Sequence, residues 1–121
     1  MAKKILVVED NEMNRKLFVS VLRERGYEVS EAADGEEAIA RIKIESPSLI
    51  LMDILLPGVN GCEVLRACKD KGLLHNAKVY ALTASVMPEI YEAGFDGIIQ
   101  KPVKIFEFLK TVEKTLEVDD S

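Results

Sequence analysis

A chain of 121 residues, 48% of them hydrophobic, suits one domain with a real core and excludes wholesale disorder. A formal net charge of −5, with no basic cluster, disfavours non-specific binding to nucleic acid or to an anionic membrane surface. No apolar run is long enough to span a bilayer, and Met1-Ala2-Lys3-Lys4 carries no apolar signal region, so a cytoplasmic protein is expected.

In chain order, Ile5-Leu6-Val7-Val8 predicts a strand near 4–8 that runs into Glu9-Asp10. A first helix follows from about Glu12 to Arg25, with Met13, Leu17, Val21 and Leu22 as its apolar stripe and Gly26 placed to cap its end. A strand near 27–31 leads to Asp34-Gly35-Glu36-Glu37, a capping-box pattern that opens a second helix carrying Ala38, Ile39 and Ile42. After Pro47, Leu49-Ile50-Leu51-Met52 predicts a strand over 48–53 that ends in Asp53. The turn Pro57-Gly58-Val59-Asn60 then gives way to a third helix from about Gly61 to Lys71. Val79-Tyr80-Ala81-Leu82 runs into Thr83, and Ile98-Ile99-Gln100 runs into Lys101-Pro102. The last helix carries Ile105, Leu109, Val112 and Leu116 on one stripe, and a frayed tail is expected over about 118–121.

The first and third strands are apolar at every position, as strands buried on both faces are. Strands alternating with helices predict an α/β fold with a parallel sheet, helices on both sides and a single domain over residues 1–121. In such sheets ligands bind beyond the carboxyl ends of the strands. Glu9, Asp10, Asp53, Thr83 and Lys101 all fall there.

Taken singly, these residues have plainer readings: Asp10 as a helix cap, Thr83 as an N-cap, Lys101 as a solvated side chain. Four strand ends carrying them in order make a joint site the better reading. Carboxylates on neighbouring strands lie about 4.8 Å apart. At an effective dielectric near 20 they repel by about 3 kcal/mol. Without a counter-ion one of them should hold a proton part of the time. Mg²⁺ accepts a few carboxylates while keeping several waters, and phosphate oxygens can replace those waters. An Asp oxygen beside such a cation can attack phosphorus and form an aspartyl phosphate. Asp53 is central among the groups and is the expected nucleophile.

Cys62 and Cys68 fall six residues apart in one predicted helix, roughly 9 Å along its axis, too far for a disulfide. His75 has no partners at metal-ligand spacing and reads as a solvated loop residue.

The segments Ile5–Asn11, Leu51–Gly61, Ala81–Ala84 and Lys101-Pro102 together resemble the receiver domain of two-component response regulators, over nearly the whole chain. The resemblance implies a flavodoxin-like (βα)5 three-layer sandwich with parallel strand order 2-1-3-4-5. It implies that Asp53 accepts a phosphoryl group from a sensor histidine kinase or a histidine phosphotransfer protein. It implies Mg²⁺, with Mn²⁺ as a substitute, held by Asp10, Asp53 and the Leu55 backbone carbonyl, with Glu9 contacting it through water. Thr83 and Lys101 match the residues that engage the phosphoryl group, and Lys101-Pro102 matches a cis peptide bond.

Two departures from that family pattern stand out. The segment from Ala84 to Lys101 is about one helical turn short, leaving a fourth helix of under two turns from Pro88 to Ala93, marginal without packing. Ile98 stands where receivers commonly carry Tyr or Phe, so the usual aromatic readout is absent and Ile98 either packs in the core or takes part in an altered switch. The expectation is that output depends on ordering or shifting this shortened region. Leu55, two residues after Asp53, either shields the acyl phosphate or merely covers the pocket mouth. Phe106 and Phe108 point in different directions; an exposed one would offer a surface for a partner or a homodimer, and a buried satellite contact is the equal alternative.

A signalling module rather than a turnover enzyme is expected, stand-alone and acting on a downstream protein, with no direct nucleic-acid or membrane contact. A phosphatase of the haloacid dehalogenase type would leave Asp53 unexplained and lacks room for cap elements. A flavin-binding flavodoxin would need a hydroxyl- and glycine-rich phosphate loop where Glu9-Asp10-Asn11-Glu12 is acidic.

Overall fold

The computed structural model describes residues 3–119. Five strands form one parallel sheet: β1 (Lys4–Val8), β2 (Glu28–Ala32), β3 (Leu49–Asp53), β6 (Lys78–Thr83) and β7 (Gly97–Gln100). Their order is β2-β1-β3-β6-β7. This is the expected 2-1-3-4-5 order, with numbers raised by a two-stranded hairpin, β4 (Leu55–Leu56) and β5 (Val59–Asn60). The hairpin stands where a simple turn was expected.

Side-chain alternation divides the core. Leu6, Val8, Ile50, Met52, Val79 and Ala81 pack under α2 (Gly35–Glu45), α3 (Gly61–Asp70) and α4 (Pro88–Ala93). Ile5, Val7, Leu49, Leu51, Leu82 and Ile99 pack under α1 (Glu12–Glu24) and α5 (Ile105–Asp119). Burial of β1 and β3 on both faces accounts for their unbroken apolar runs. Phe18 of α1 meets Phe108 of α5 with ring centroids 5.2 Å apart.

The helix starts follow local chemistry. Asn11, Asp34 and Asn60 each accept a hydrogen bond from the backbone N–H three residues on, opening α1, α2 and α3. Pro88 occupies the first turn of α4, where its missing N–H costs no helical bond. Both cysteines are free and buried, and His75 is exposed, as expected. Phe106 is exposed while Phe108 is buried. α5 is helical through Asp119; residues 120 and 121 of the expected frayed tail lie outside the described residues.

The expected stripe on α1 is corrected. Met13 is 83% exposed and Leu17 47%, while Phe18, Val19 and Leu22 are buried. The inward face runs 15, 18, 19, 22, the i, i+3, i+4, i+7 spacing of a packed helix, and it begins with an arginine. A charge at the head of that face hid it, and the neighbouring Met13-Leu17-Val21 line looked more apolar.

Gly61 fixes how closely α3 approaches the end of β3. Its N–H donates to Ile54 O at 2.8 Å, and a Cβ there would stand 2.5 Å from Asp53 O. Gly61→Ala is expected to cost about 1–3 kcal/mol, because backbone rather than a flexible side chain must move. Urea unfolding measures it; a loss below about 0.5 kcal/mol would show that the approach is slack.

Candidate functional site

The carboxyl edge of the sheet gathers the expected groups. Glu9 follows β1, Asp53 ends β3, Thr83 ends β6 and Lys101 follows β7. One carboxylate oxygen from each of Glu9, Asp10 and Asp53 lies within 4.8 Å of the others. Glu9 and Asp53 are buried, and Asp10 is exposed at the rim.

Lys101 reaches across the sheet edge into this cluster. Its Nζ donates to Glu9 Oε1 at 2.9 Å and to Asp53 Oδ2 at 2.8 Å. Asp53 Oδ1 accepts the Leu55 N–H at 3.1 Å, and Glu9 Oε2 accepts the Asn11 N–H at 3.1 Å. Each buried acid therefore has one oxygen on the ammonium and one on a backbone amide. The ammonium sits where a positive charge is needed, which is the environment a small hard cation requires. Carboxylate oxygens that share one ammonium and open at the rim through Asp10 fit a divalent ion.

The Thr83 hydroxyl is turned into its own loop. It donates to Ser85 O at 2.8 Å and accepts from Ser85 N at 3.2 Å. The Leu55 side chain is 75% exposed beside the mouth. Ile98 is half-buried against the core beneath α2, α3 and α4. The Lys101-Pro102 bond is cis.

Two contributors escaped sequence reading. Arg15 donates from Nη1 to Glu9 O at 2.9 Å, behind the acidic pair, and from Nε to Glu31 at 2.9 Å. Its one sequence signal is its i−3 spacing from buried Phe18. Asn60 donates to Glu89 of α4 at 3.4 Å, tying the hairpin that follows Asp53 to the shortened helix. Lys69 adds a bond to Ala93 O at 3.1 Å, and Ile90 and Ala93 are buried. This packing supplies what so short a helix cannot supply itself.

A family model described as "Response regulator receiver domain" matches residues 5–113. The chain belongs to that family. The polar-differentiation response regulator DivK of Brucella anthropi is 38% identical over 120 residues, covering 96% of this chain and 98% of that protein. A CheY-like receiver domain protein from Methanospirillum hungatei superposes with a TM-score of 0.91 at 31% identity, covering 99% and 98% of the two chains. The chemotaxis response regulator CheY4 of Vibrio cholerae gives 0.88 at 28%, covering 95% and 99%. The receiver fold is flavodoxin-like, and the chain's function is that of a phosphoacceptor module in two-component signalling. Among the described residues no helix of this receiver is long and apolar enough to cross a membrane.

Electrostatics in the receiver's pocket follow from burial. Burial raises the Glu9 pKa above 4.5, and the Asp53 carboxylate raises it further; Lys101 and the Asn11 amide oppose them without cancelling the rise. Burial alone would lower the Lys101 pKa, but hydrogen bonds and charge from Asp53 and Glu9 outweigh it and hold the ammonium above 10.5. A carboxyl whose folded pKa is raised binds its proton more tightly in the native state. Its ionisation therefore erodes stability as pH rises from 4.5 through the folded value. The lysine's contribution is complete below 10.5 and is lost as pH climbs through its own raised value. Lys101→Met strands two buried acids, for which about 3–5 kcal/mol of destabilisation is expected near pH 7. That deficit should shrink as pH falls toward 4.5, where Glu9, its pKa raised above that value, takes up a proton. Urea midpoints at both pH values without added metal check it, and a pH-independent deficit would rule out the carboxylate origin.

Proposed function

We propose that Asp53 is the phosphoacceptor and that Glu9, Asp10 and Asp53, with the Leu55 carbonyl, hold Mg²⁺ beside it, Mn²⁺ being an acceptable substitute. The supporting observation is the bridging of Glu9 and Asp53 by Lys101: a buried nucleophilic carboxylate, a fixed cation and an open acidic rim occur together. When bound, the divalent cation neutralises charge on the nucleophile and on the incoming phosphoryl oxygens.

The donor is the phosphohistidine of a sensor histidine kinase or histidine phosphotransfer protein. An Asp53 oxygen forms the new O–P bond while the donor's N–P bond breaks, and the departing imidazole takes up a proton. The Leu55 N–H on Oδ1 and Lys101 on Oδ2 keep the carboxylate fixed for in-line attack. Lys101 can stay with the Asp53 group afterwards, since an acyl phosphate oxygen offers it an acceptor. Thr83 must exchange its bond to Ser85 O for a phosphoryl oxygen, which links phosphorylation to the loop leading into α4. The product of interest is a conformation passed on by protein contacts, not a released metabolite; direct nucleic-acid contact is not part of this reading, and a homodimer is one form the readout can take.

With Mg²⁺ and acetyl phosphate, intact mass should rise by one phosphoryl group, Asp53→Asn should not react, and Asp10→Asn should require about tenfold or more additional Mg²⁺. Full phosphorylation of Asp53→Asn would end the assignment.

The readout follows from Ile98 and α4. With an aliphatic side chain at 98, the switch is a shift of the Ala84–Ile98 segment around Pro88. Beryllofluoride with Mg²⁺ should change amide exchange over residues 84–98; unchanged protection there, alongside a clear change elsewhere, would place the readout on another surface.

A further inference from the structure

Arg15 stands at the head of the inward face of α1, with its side chain 14% exposed. Nε donates to Glu31 Oε1 at 2.9 Å, and Glu31 also takes Lys16 at 3.1 Å through its other oxygen. Nη1 reaches the other way, to Glu9 O at 2.9 Å and Asp10 O at 3.5 Å. Pairing with Glu31, which also serves Lys16, offsets part of the guanidinium charge and uses only one edge of it. The contacts to two successive carbonyls do something else: they fix the peptide planes of Glu9 and Asp10, two of the three residues whose carboxylates form the acidic cluster. Glu9 N–H bonds Ala32 O on β2 at 3.1 Å, so this short stretch is held on both sides.

We infer that Arg15 is a positioning residue for the cation site, aiming the Glu9 and Asp10 carboxylates from behind while touching neither cation nor phosphoryl group. The inference rests on the cation-binding reading above. Glu31 is its anchor: the carboxylate on β2 sets the plane of the guanidinium, and the guanidinium sets the loop. Lysine cannot replace it fully, because a single ammonium cannot span Glu31 and the carbonyls with the rigid fork of a guanidinium.

Two effects of Arg15 on cation affinity have opposite signs. As a nearby positive charge it repels Mg²⁺, so its removal would tighten binding, an effect that Glu31, shared with Lys16, only partly offsets. As a brace it holds the carboxylates ready, so its removal loosens binding, as loss of an outer-shell partner does, by about tenfold or more. A purely structural role would lower stability in EDTA and leave Mg²⁺ affinity unchanged.

The test is an amide NMR titration of the metal-free protein with MgCl₂, on wild type, Arg15→Met, Arg15→Lys and Glu31→Gln, with urea unfolding of each in EDTA. Arg15→Met should weaken Mg²⁺ about tenfold, Arg15→Lys should recover part of the loss, and Glu31→Gln should weaken it by a smaller factor. Folded Arg15→Met binding Mg²⁺ as tightly as wild type, or more tightly, overturns the inference. If Arg15→Met has no cooperative transition, Glu31→Gln decides, and unchanged affinity there overturns it equally. Wild type that shows no saturable Mg²⁺ binding fails at the earlier step: it removes the cation reading and this inference with it.

Discussion

Two buried carboxylates share one ammonium at the carboxyl edge of the sheet, and the rest of the pocket is arranged around that contact. Glu9 and Asp53 come from adjacent strands, so their separation is set by the β1–β3 pairing. Neither strand can shift without slipping a side-chain set that alternates between two cores. The sheet therefore holds like charges together that would separate in solution, and Lys101, from the end of β7, supplies the charge that permits it. A pair of acids buried without that ammonium would take up a proton instead. Repulsion is thus stored in the fold at one place, where a second cation would relieve it.

The surrounding loops then fix the direction of each group. Amide N–H groups of Asn11 and Leu55 hold the carboxylate oxygens that Lys101 does not. Gly61 lets α3 start against the Asp53 backbone, and the β4–β5 hairpin returns the chain to that point. Asn60 both opens α3 and reaches Glu89, while Arg66 lies 3.8 Å from the same carboxylate. The hairpin after Asp53 and the short α4 are consequently parts of one contact network. Exposed ion pairs contribute little stability, so the value of this network lies in geometry rather than energy.

Much of this was legible in the sequence for a definite reason. Unbroken apolar runs such as Leu49–Met52 occur where a strand is covered on both faces, and each such run ended in a polar residue that no core needs. Burial and function pulled the same way there, and both could be read. Arg15 was hidden because they pulled apart: the inward face of α1 spends its first position on a charge, so apolar periodicity pointed to Met13 and Leu17, which are exposed. The hairpin was hidden because two-residue strands have no alternation to detect. The inward turn of the Thr83 hydroxyl onto Ser85 depends on loop geometry that residue types do not encode.

Charge accounting ties the pocket to its switching. When ionised, three carboxylates against one ammonium leave two negative charges uncompensated, which is the charge of one divalent cation. Adding a phosphoryl group replaces one carboxylate charge with roughly two, spread over three acceptor oxygens. The pocket then holds more acceptors than Lys101 and the backbone amides can serve, and an additional donor becomes favourable. Thr83 is the hydroxyl at the neighbouring strand end, and its present bond to Ser85 O is neutral on both sides. A charge-assisted bond is about twice as strong as a neutral one, so the exchange of Ser85 O for a phosphoryl oxygen runs downhill. On the proposed function, releasing Ser85 would free the start of a segment whose helix has no side-chain N-cap and under two turns. On that reading, an electrostatic surplus at one strand end would be passed to the short α4, a helix of six residues that leans on its neighbours.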